Sequence, residues 1–347
     1  MKDTYTFARR LAVAGLILLL FASLFYLLLH HAYFFLLVMA GILAAVMFSG
    51  MADWLAAKAK LRRWLALLLS VVFFFGTLAG AFWLVAPTVG EQVQELRETI
   101  PASLSQVQEW LKGRSWGERL VDQLPQDMEK ALPEQEKLVT GLTGAFSSTL
   151  GFLADLLIVV ITSLFLASSP TLYTQGLVRL FPVRKRQRLL EVLAKCYSTL
   201  RKWLVGMFLS MAIIGVSSAI GYSLIGLPMA FALALIAFLF AFVPNIGPWV
   251  AGVPAVLIGL TAGGQMALYV LLIYGGIQMI ESYLITPIIF KRTVDLPPAL
   301  LLFFQVLLGI LQGGLGLLLA APILAVAMVL VQELYVKDVL EEAPGEV

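Results

Sequence analysis

The chain has 347 residues, 61% of them hydrophobic and 13% charged, with mean hydropathy +0.94 and net charge +3. A soluble domain carries about 45–50% apolar and about 25% charged residues, and no fold of this length has interior enough to bury the excess. Those figures exclude a soluble globule and intrinsic disorder alike. They leave an all-α polytopic membrane protein, since each spanning helix uses roughly 20 apolar residues.

Other chemistries fall away in turn. The charge is too small and dispersed for a nucleic-acid partner. The single cysteine, Cys196, leaves no disulfide, Cys-based metal cluster or redox pair. There is no Gly-Lys dipeptide, hence no P-loop, and no HExxH pattern. No enzyme activity, metal or cofactor is expected, nor primary pumping by this chain alone.

Residues 1–87 hold three expected spans. Lys2, Arg9 and Arg10 precede an apolar run over 11–29, which is too long for a signal-peptide core and has no small-x-small cleavage pattern after it. It reads as a retained first span. His30 and His31 follow it; adjacent residues point to different helix faces, so they read as interfacial rather than as a shared metal site. The second span covers 32–50 and the third 64–86, with Lys58, Lys60, Arg62 and Arg63 between them. Gly76 and Gly80 form a GxxxG, a spacing frequent by chance in apolar helices.

Residues 88–145 read as an extracytoplasmic insert. Positions 88–144 carry ten acids and six bases, net −4. Val89, Val93, Leu96, Ile100, Leu104, Val107 and Leu111 recur at spacings of three and four, which predicts an amphipathic helix with one apolar stripe. It contains no histidine and no Ser/His/Asp set that would point to catalysis.

Residues 146–202 comprise a fourth span, about 146–167, and a basic segment. From 168 to 202 there are eight bases and one acid, net +7. The positive-inside rule places this segment, the 58–63 loop and the N-terminus in the cytoplasm and the acidic insert outside. The bilayer partner accounts for the basic run, through anionic lipid, more simply than nucleic acid does. Leu189, Leu193, Cys196, Leu200 and Trp203 predict an amphipathic helix leading into the next span.

Residues 203–336 are the expected transport core, followed by a cytoplasmic tail over 337–347. After a fifth span at 204–225, an apolar stretch is broken at Pro244-Asn245-Ile246-Gly247-Pro248 and resumes through Pro254. A similar stretch begins at Pro298 and breaks at Gln312-Gly313-Gly314-Leu315-Gly316 before Pro322. Each half is short for an independent span. Non-helical backbone at membrane depth persists only inside protein or beside water, and broken helices carry substrate and ion sites in transporters. The pattern predicts two helical hairpins with tips at Pro244, Gly247 and Pro248 and at Gly313, Gly314 and Gly316. Two ordinary pairs of short tilted helices are the alternative. A span over 265–289 lies between them, ending at Lys291-Arg292, so parity makes the hairpins enter from opposite faces.

Glu281 is the one carboxylate deep in a span, ten residues or about 15 Å from Lys291. A charge there costs on the order of 3 kcal/mol, and intramembrane acids neutralise or pair. Gln278, Ser282 and Tyr283 surround it. Asp155 in the fourth span is the second candidate, and Asn245, Gln305 and Gln312 are the polar groups near the breaks.

At these residues the chain resembles the autoinducer-2 exporter (AI-2E) family, the PerM-like permeases. Three stretches carry the likeness. They are Phe242-Val-Pro-Asn-Ile-Gly-Pro-Trp-Val-Ala-Gly-Val-Pro254, Glu281-Ser-Tyr-Leu-Ile-Thr-Pro287, and Leu296-Pro-Pro through Gly313-Gly314-Leu-Gly316 to Ala321-Pro322. The resemblance implies about eight membrane segments; the expected location is the cell (inner or plasma) membrane, and loop charge and parity put both termini in the cytoplasm. The resemblance also implies a homo-oligomer, pentameric in form, and export by an elevator-like movement. It does not imply one substrate. The leading expectation is export of a small polar solute such as autoinducer-2, with Glu281 as coupling or binding group. The alternatives are a monovalent cation (sodium)/proton antiporter and a non-transporting membrane scaffold.

Overall fold

The computed structural model describes residues 31–77, 135–290 and 296–341, with positions 15, 23, 26, 79, 80 and 83 in addition; for 135–150, 152, 289 and 290 it describes backbone alone. The expected first span at 11–29 and the insert up to residue 134 lie almost wholly outside the described residues. Every regular element among the described residues is a helix, as the composition requires.

Helix α1 (Ala32–Ala59) outruns the expected second span and ends where Lys60 takes a left-handed conformation, φ 52°. Helix α2 (Arg63–Thr77) opens directly after the basic turn. The fourth span lies within α3 (Gln135–Ser168). Pro170 has no N–H to continue that helix, and the chain restarts as α4 (Pro170–Arg179) at 88° to the preceding segment. Helix α5 (Val183–Leu224) is a single rod of 42 residues, about 63 Å long and twice the thickness of the hydrocarbon core. It fuses the basic amphipathic stretch to the fifth span. Along that stretch Val192, Cys196, Leu200 and Trp203 are buried, with Leu189 and Leu193 at the edge of the same face.

Next come α6 (Ala230–Phe240), α7 (Gly247–Thr261) and α8 (Gly264–Ile280). Helix α8 continues through a π-helical turn, Glu281–Ile285, into α9 (Thr286–Phe290). Helix α10 (Pro298–Leu330) is interrupted at Gly313 and runs on as a π-helical segment, Val331–Glu341. Among the described residues, four helices are long and apolar enough, by length and composition, to cross a membrane: α1, α5, α8 with its extension, and the interrupted α10 with its extension. The bent α3–α4 pair is a fifth candidate, and α2, α6 and α7 are shorter apolar helices.

Helix α5 is the axis of the core, packed against α1, α4, α6, α8 and α10. The core runs through Leu43 and Val46 of α1, Met207 and Met211 of α5, Leu233 of α6, Ile258 of α7, Val270 of α8 and Leu319 of α10. Buried alanines (Ala232, Ala237, Ala255, Ala320, Ala321) let these helices approach closely where hydrophobicity alone gives no drive for association. Helix α3 pairs with α1 at the flank, and Phe48 of α1 meets Phe74 of α2 edge to face.

Candidate transport site

The first break is a tight reversal. Helix α6 ends at Phe240, α7 begins at Gly247, and the two pack on each other. Within the turn the Ile246 N–H donates to the Pro244 carbonyl at 2.8 Å and the Gly247 N–H to the Val243 carbonyl at 2.9 Å. Asn245 takes a left-handed conformation, φ 65°, which asparagine tolerates better than other non-glycine residues. A side chain at Gly247 would overlap the carbonyl oxygen of Phe240, so the reversal needs glycine there for space.

The second break reverses the chain as well. Gly313 has φ 64° and ψ −147°. Beyond it, a Cβ on Gly316 would overlap the carbonyl oxygen of Leu308, and Leu317 lies 3.8 Å from the Cβ position of Gly309. Residues 308 and 316 would be about 12 Å apart along an unbroken helix, so the two arms of α10 lie side by side. The three tip glycines have different duties. Gly313 supplies the backbone angle and Gly316 the space, while Gly314 has neither a positive φ nor a neighbour within 4 Å of its Cβ position.

Gln305, in the first arm of α10, ties the two broken segments together. It is fully buried. Its Nε2 donates to the Pro244 carbonyl at 2.8 Å, and its Oε1 accepts from Asn245 Nδ2 at 3.3 Å. One amide thus brackets the tip of the α6–α7 hairpin from the neighbouring hairpin. Nearby, the Tyr274 hydroxyl of α8 donates to the Pro248 carbonyl at 2.9 Å. Gln312 sits at the other tip, its Cβ against Gly316, two turns along the arm from Gln305.

Glu281 opens the π-helical turn and is half-buried. Its Oε1 accepts from Thr286 Oγ1 at 2.7 Å and its Oε2 from Ser282 Oγ at 3.3 Å. A π-turn widens the helix locally and is frequent at functional sites. From Glu281 a polar seam leads inward between α8 and α5. Gln278 Nε2, Tyr222 OH and Ser218 Oγ are buried there, with Tyr222 beside Ser218 and Tyr274 beside Gln278, and the Tyr222 and Tyr274 ring centroids are 6.4 Å apart. Sequence reasoning singled out Glu281, Gln278 and Ser282 but missed Ser218, Tyr222 and Tyr274. Their signal is the four-residue spacing of 218/222 and 274/278, which puts each pair on one helix face.

Asp155 is not part of this constellation. It lies on the α1–α3 pair, where the Tyr33 hydroxyl donates to its Oδ2. A larger omission concerns the basic end of the molecule. The Glu333 carboxylate, 7% exposed, meets Lys337 Nζ at 2.7 Å, Lys195 Nζ at 2.8 Å and Arg188 Nη2 at 3.0 Å, and Arg188 also meets Asp338 at 2.8 Å. A set of charges this dense is expected beyond the hydrocarbon. Hydrogen bonds from Lys195, then Lys337, then Arg188 hold Glu333 well below the ordinary carboxylate range, at about 2. The cluster fastens the basic half of α5 to the π-helical end of the second arm of α10.

The chain is similar to known proteins over most of its length. "Putative transport protein YueF" of Bacillus subtilis is 25% identical over 278 residues, 77% of this chain and 75% of that protein. "Putative transport protein YrrI" of the same organism is 26% identical over 299 residues, 84% of each chain. "Putative transport protein YhhT" of Escherichia coli is 22% identical over 309 residues, 84% of this chain and 82% of that protein. The model of the AI-2E family transporters matches residues 14–336, spanning both hairpins and the Glu281 turn, and the chain belongs to that family.

Proposed function

We propose that this protein is a secondary exporter of a small polar solute, of which autoinducer-2 is one example, working by elevator-like alternating access. The observation that carries the reading is the Gln305 bracket. A buried amide joins the tip of one helical hairpin to the arm of another, so the α6–α7 and α10 hairpins can move as one body along α5. The polar seam of Ser218, Tyr222 and Gln278 opens toward Glu281 and supplies hydrogen-bonding groups for a polar solute. Ser282 and Gln312 are proposed to line its route. Assembly as a homo-pentamer is part of the proposal and rests on the family resemblance.

A second reading, sodium/proton antiport, draws support from one feature. Glu281 with the Thr286 and Ser282 hydroxyls is an all-oxygen set of the kind a hard monovalent cation prefers. Flux in proteoliposomes separates the two readings: a panel of polyhydroxylated solutes is assayed with and without a sodium gradient, at pH 6 and pH 8. Wild type should export solute with a pH-dependent rate. Glu281→Gln, which keeps shape but cannot titrate, should assemble normally and lose the pH dependence. Unchanged pH-dependent transport in the intact variant removes Glu281 from the mechanism. Sodium flux without solute flux selects the antiporter.

A further inference from the structure

Helix α4 has no counterpart in the transport reading, and its surface is unusual. Turning 100° per residue, Leu172, Leu180, Tyr173 and Leu177 fall within one half of the helix, and they are 67%, 80%, 40% and 49% exposed. Phe181 in the following turn and Val183 at the start of α5 are exposed as well, at 42% and 74%. Val178, on the other side, is buried, and α4 packs on α5. Thr171, Thr174 and Gln175 complete the polar side, where Thr174 Oγ1 donates back to the Pro170 carbonyl at 3.0 Å. The apolar half therefore points away from the protein.

Two further observations identify what covers it. The axis of α4 lies at 88° to the preceding α3 segment, so if α3 crosses the bilayer, α4 runs in the membrane plane. The charge within residues 170–190 is of one sign. Arg179, Arg184 and Lys185 are exposed, and no acid occurs between 170 and 190. Arg186 holds the turn in shape, donating from Nε to the Phe181 carbonyl at 3.0 Å and from Nη2 to the Arg179 carbonyl at 3.2 Å. An apolar arc parallel to the membrane and rimmed by cations matches an anionic lipid interface.

We propose that α4 and the turn through Val183 form an interfacial foot that inserts its apolar half into an anionic phospholipid leaflet. It anchors the junction between α3 and the α5 rod at a fixed depth. The proposal does not depend on what the protein transports.

The experiment uses the full chain carrying Cys196→Ala, with a fluorophore on Leu177→Cys or, as a control on the polar side, on Gln175→Cys. Vesicles are made of phosphatidylcholine alone or of phosphatidylcholine with phosphatidylglycerol, each doped with lipids bearing a nitroxide near the head group or near the chain end. Leu177→Cys should be quenched more than Gln175→Cys, and more by the shallow nitroxide than by the deep one. Phosphatidylglycerol should strengthen the quenching. Arg184→Glu with Lys185→Glu should abolish that gain, a loss of roughly three- to fivefold for each basic residue removed. Leu180→Cys gives an independent reading on the turn. Equal quenching at 175 and 177, or quenching of Leu177→Cys by aqueous iodide alone, overturns the proposal. So does protection of Leu177→Cys that is complete in detergent and vanishes when oligomers dissociate, because that marks a contact between copies.

Discussion

Gly313 and Gly314 are neighbours with the same side chain and different obligations. At Gly313 the angles φ 64° and ψ −147° lie in a region that only glycine enters without strain, so alanine there costs about 1–3 kcal/mol. Gly314 has no positive φ and open space around its Cβ position, and alanine there should be neutral. Gly316 is limited by space, since its Cβ would overlap a backbone oxygen that cannot swing aside as a flexible side chain would. Thermal unfolding of the purified single variants should therefore rank Gly313→Ala and Gly316→Ala well below wild type and Gly314→Ala beside it. Equal loss at 313 and 314 would mean that the α10 reversal is wrongly placed. The sequence shows the glycine cluster but not this division of labour, because spacing alone does not tell which residue takes the turn and which takes the contact.

Among the elements, the hairpins were legible because proline and glycine interrupt apolar runs too short to span. The π-turn at Glu281 was not, since Glu281-Ser-Tyr-Leu-Ile has no residue pattern that demands a wider turn. Nor was α4, hidden within a segment whose charge dominated its reading. The joining of α5 to the end of α10 is a long-range pairing between residues about 145 apart, which no local periodicity encodes. That junction makes a pH prediction. The acidity of Glu333 is strengthened by folding, from 4.5 to about 2, so its stabilisation is complete above about pH 4.5 and is lost as pH falls toward 2. Lys195 and Lys337 are about half exposed, so solvent screening limits the contribution to about 1–3 kcal/mol. At pH 6 the unfolding midpoint of Glu333→Gln should lie below that of wild type, and by pH 3 the gap should have narrowed. A gap that stays constant with pH would show that the Glu333 charge is not what holds α5 to α10.

For the molecule as a whole, charge and geometry agree on which stretches share one end. Arg201 of α5 lies 3.4 Å from the Cβ position of Gly50 in α1. Asp53 and Arg63, on either side of the α1–α2 turn, approach each other at 3.9 Å, and Glu333 closes on Arg188 and Lys195. The α1–α2 turn, the basic half of α5 and the end of α10 therefore gather together, although the sequence brings them there separately through loop charge. The positive-inside rule predicts that this end faces the cytoplasm. The α7–α8 turn at Ala262 and Gly263, exposed at the far end of the α6–α7 hairpin from its tip, is then predicted to face outward, on the side expected for the acidic insert. Single cysteines in a Cys196→Ala background test this with an impermeant maleimide applied to intact cells. Ala262→Cys and Ser105→Cys should react at once, whereas Lys60→Cys and Tyr335→Cys should react only after lysis. Reaction at Lys60→Cys and Tyr335→Cys in intact cells, with silence at Ala262→Cys, would invert the protein. Reaction of Ala262→Cys only after lysis, with Ser105→Cys labelled at once, would keep the orientation and place the α6–α7 hairpin on the cytoplasmic side. The two hairpins would then enter from the same face, and the inverted pairing on which alternating access rests would be lost.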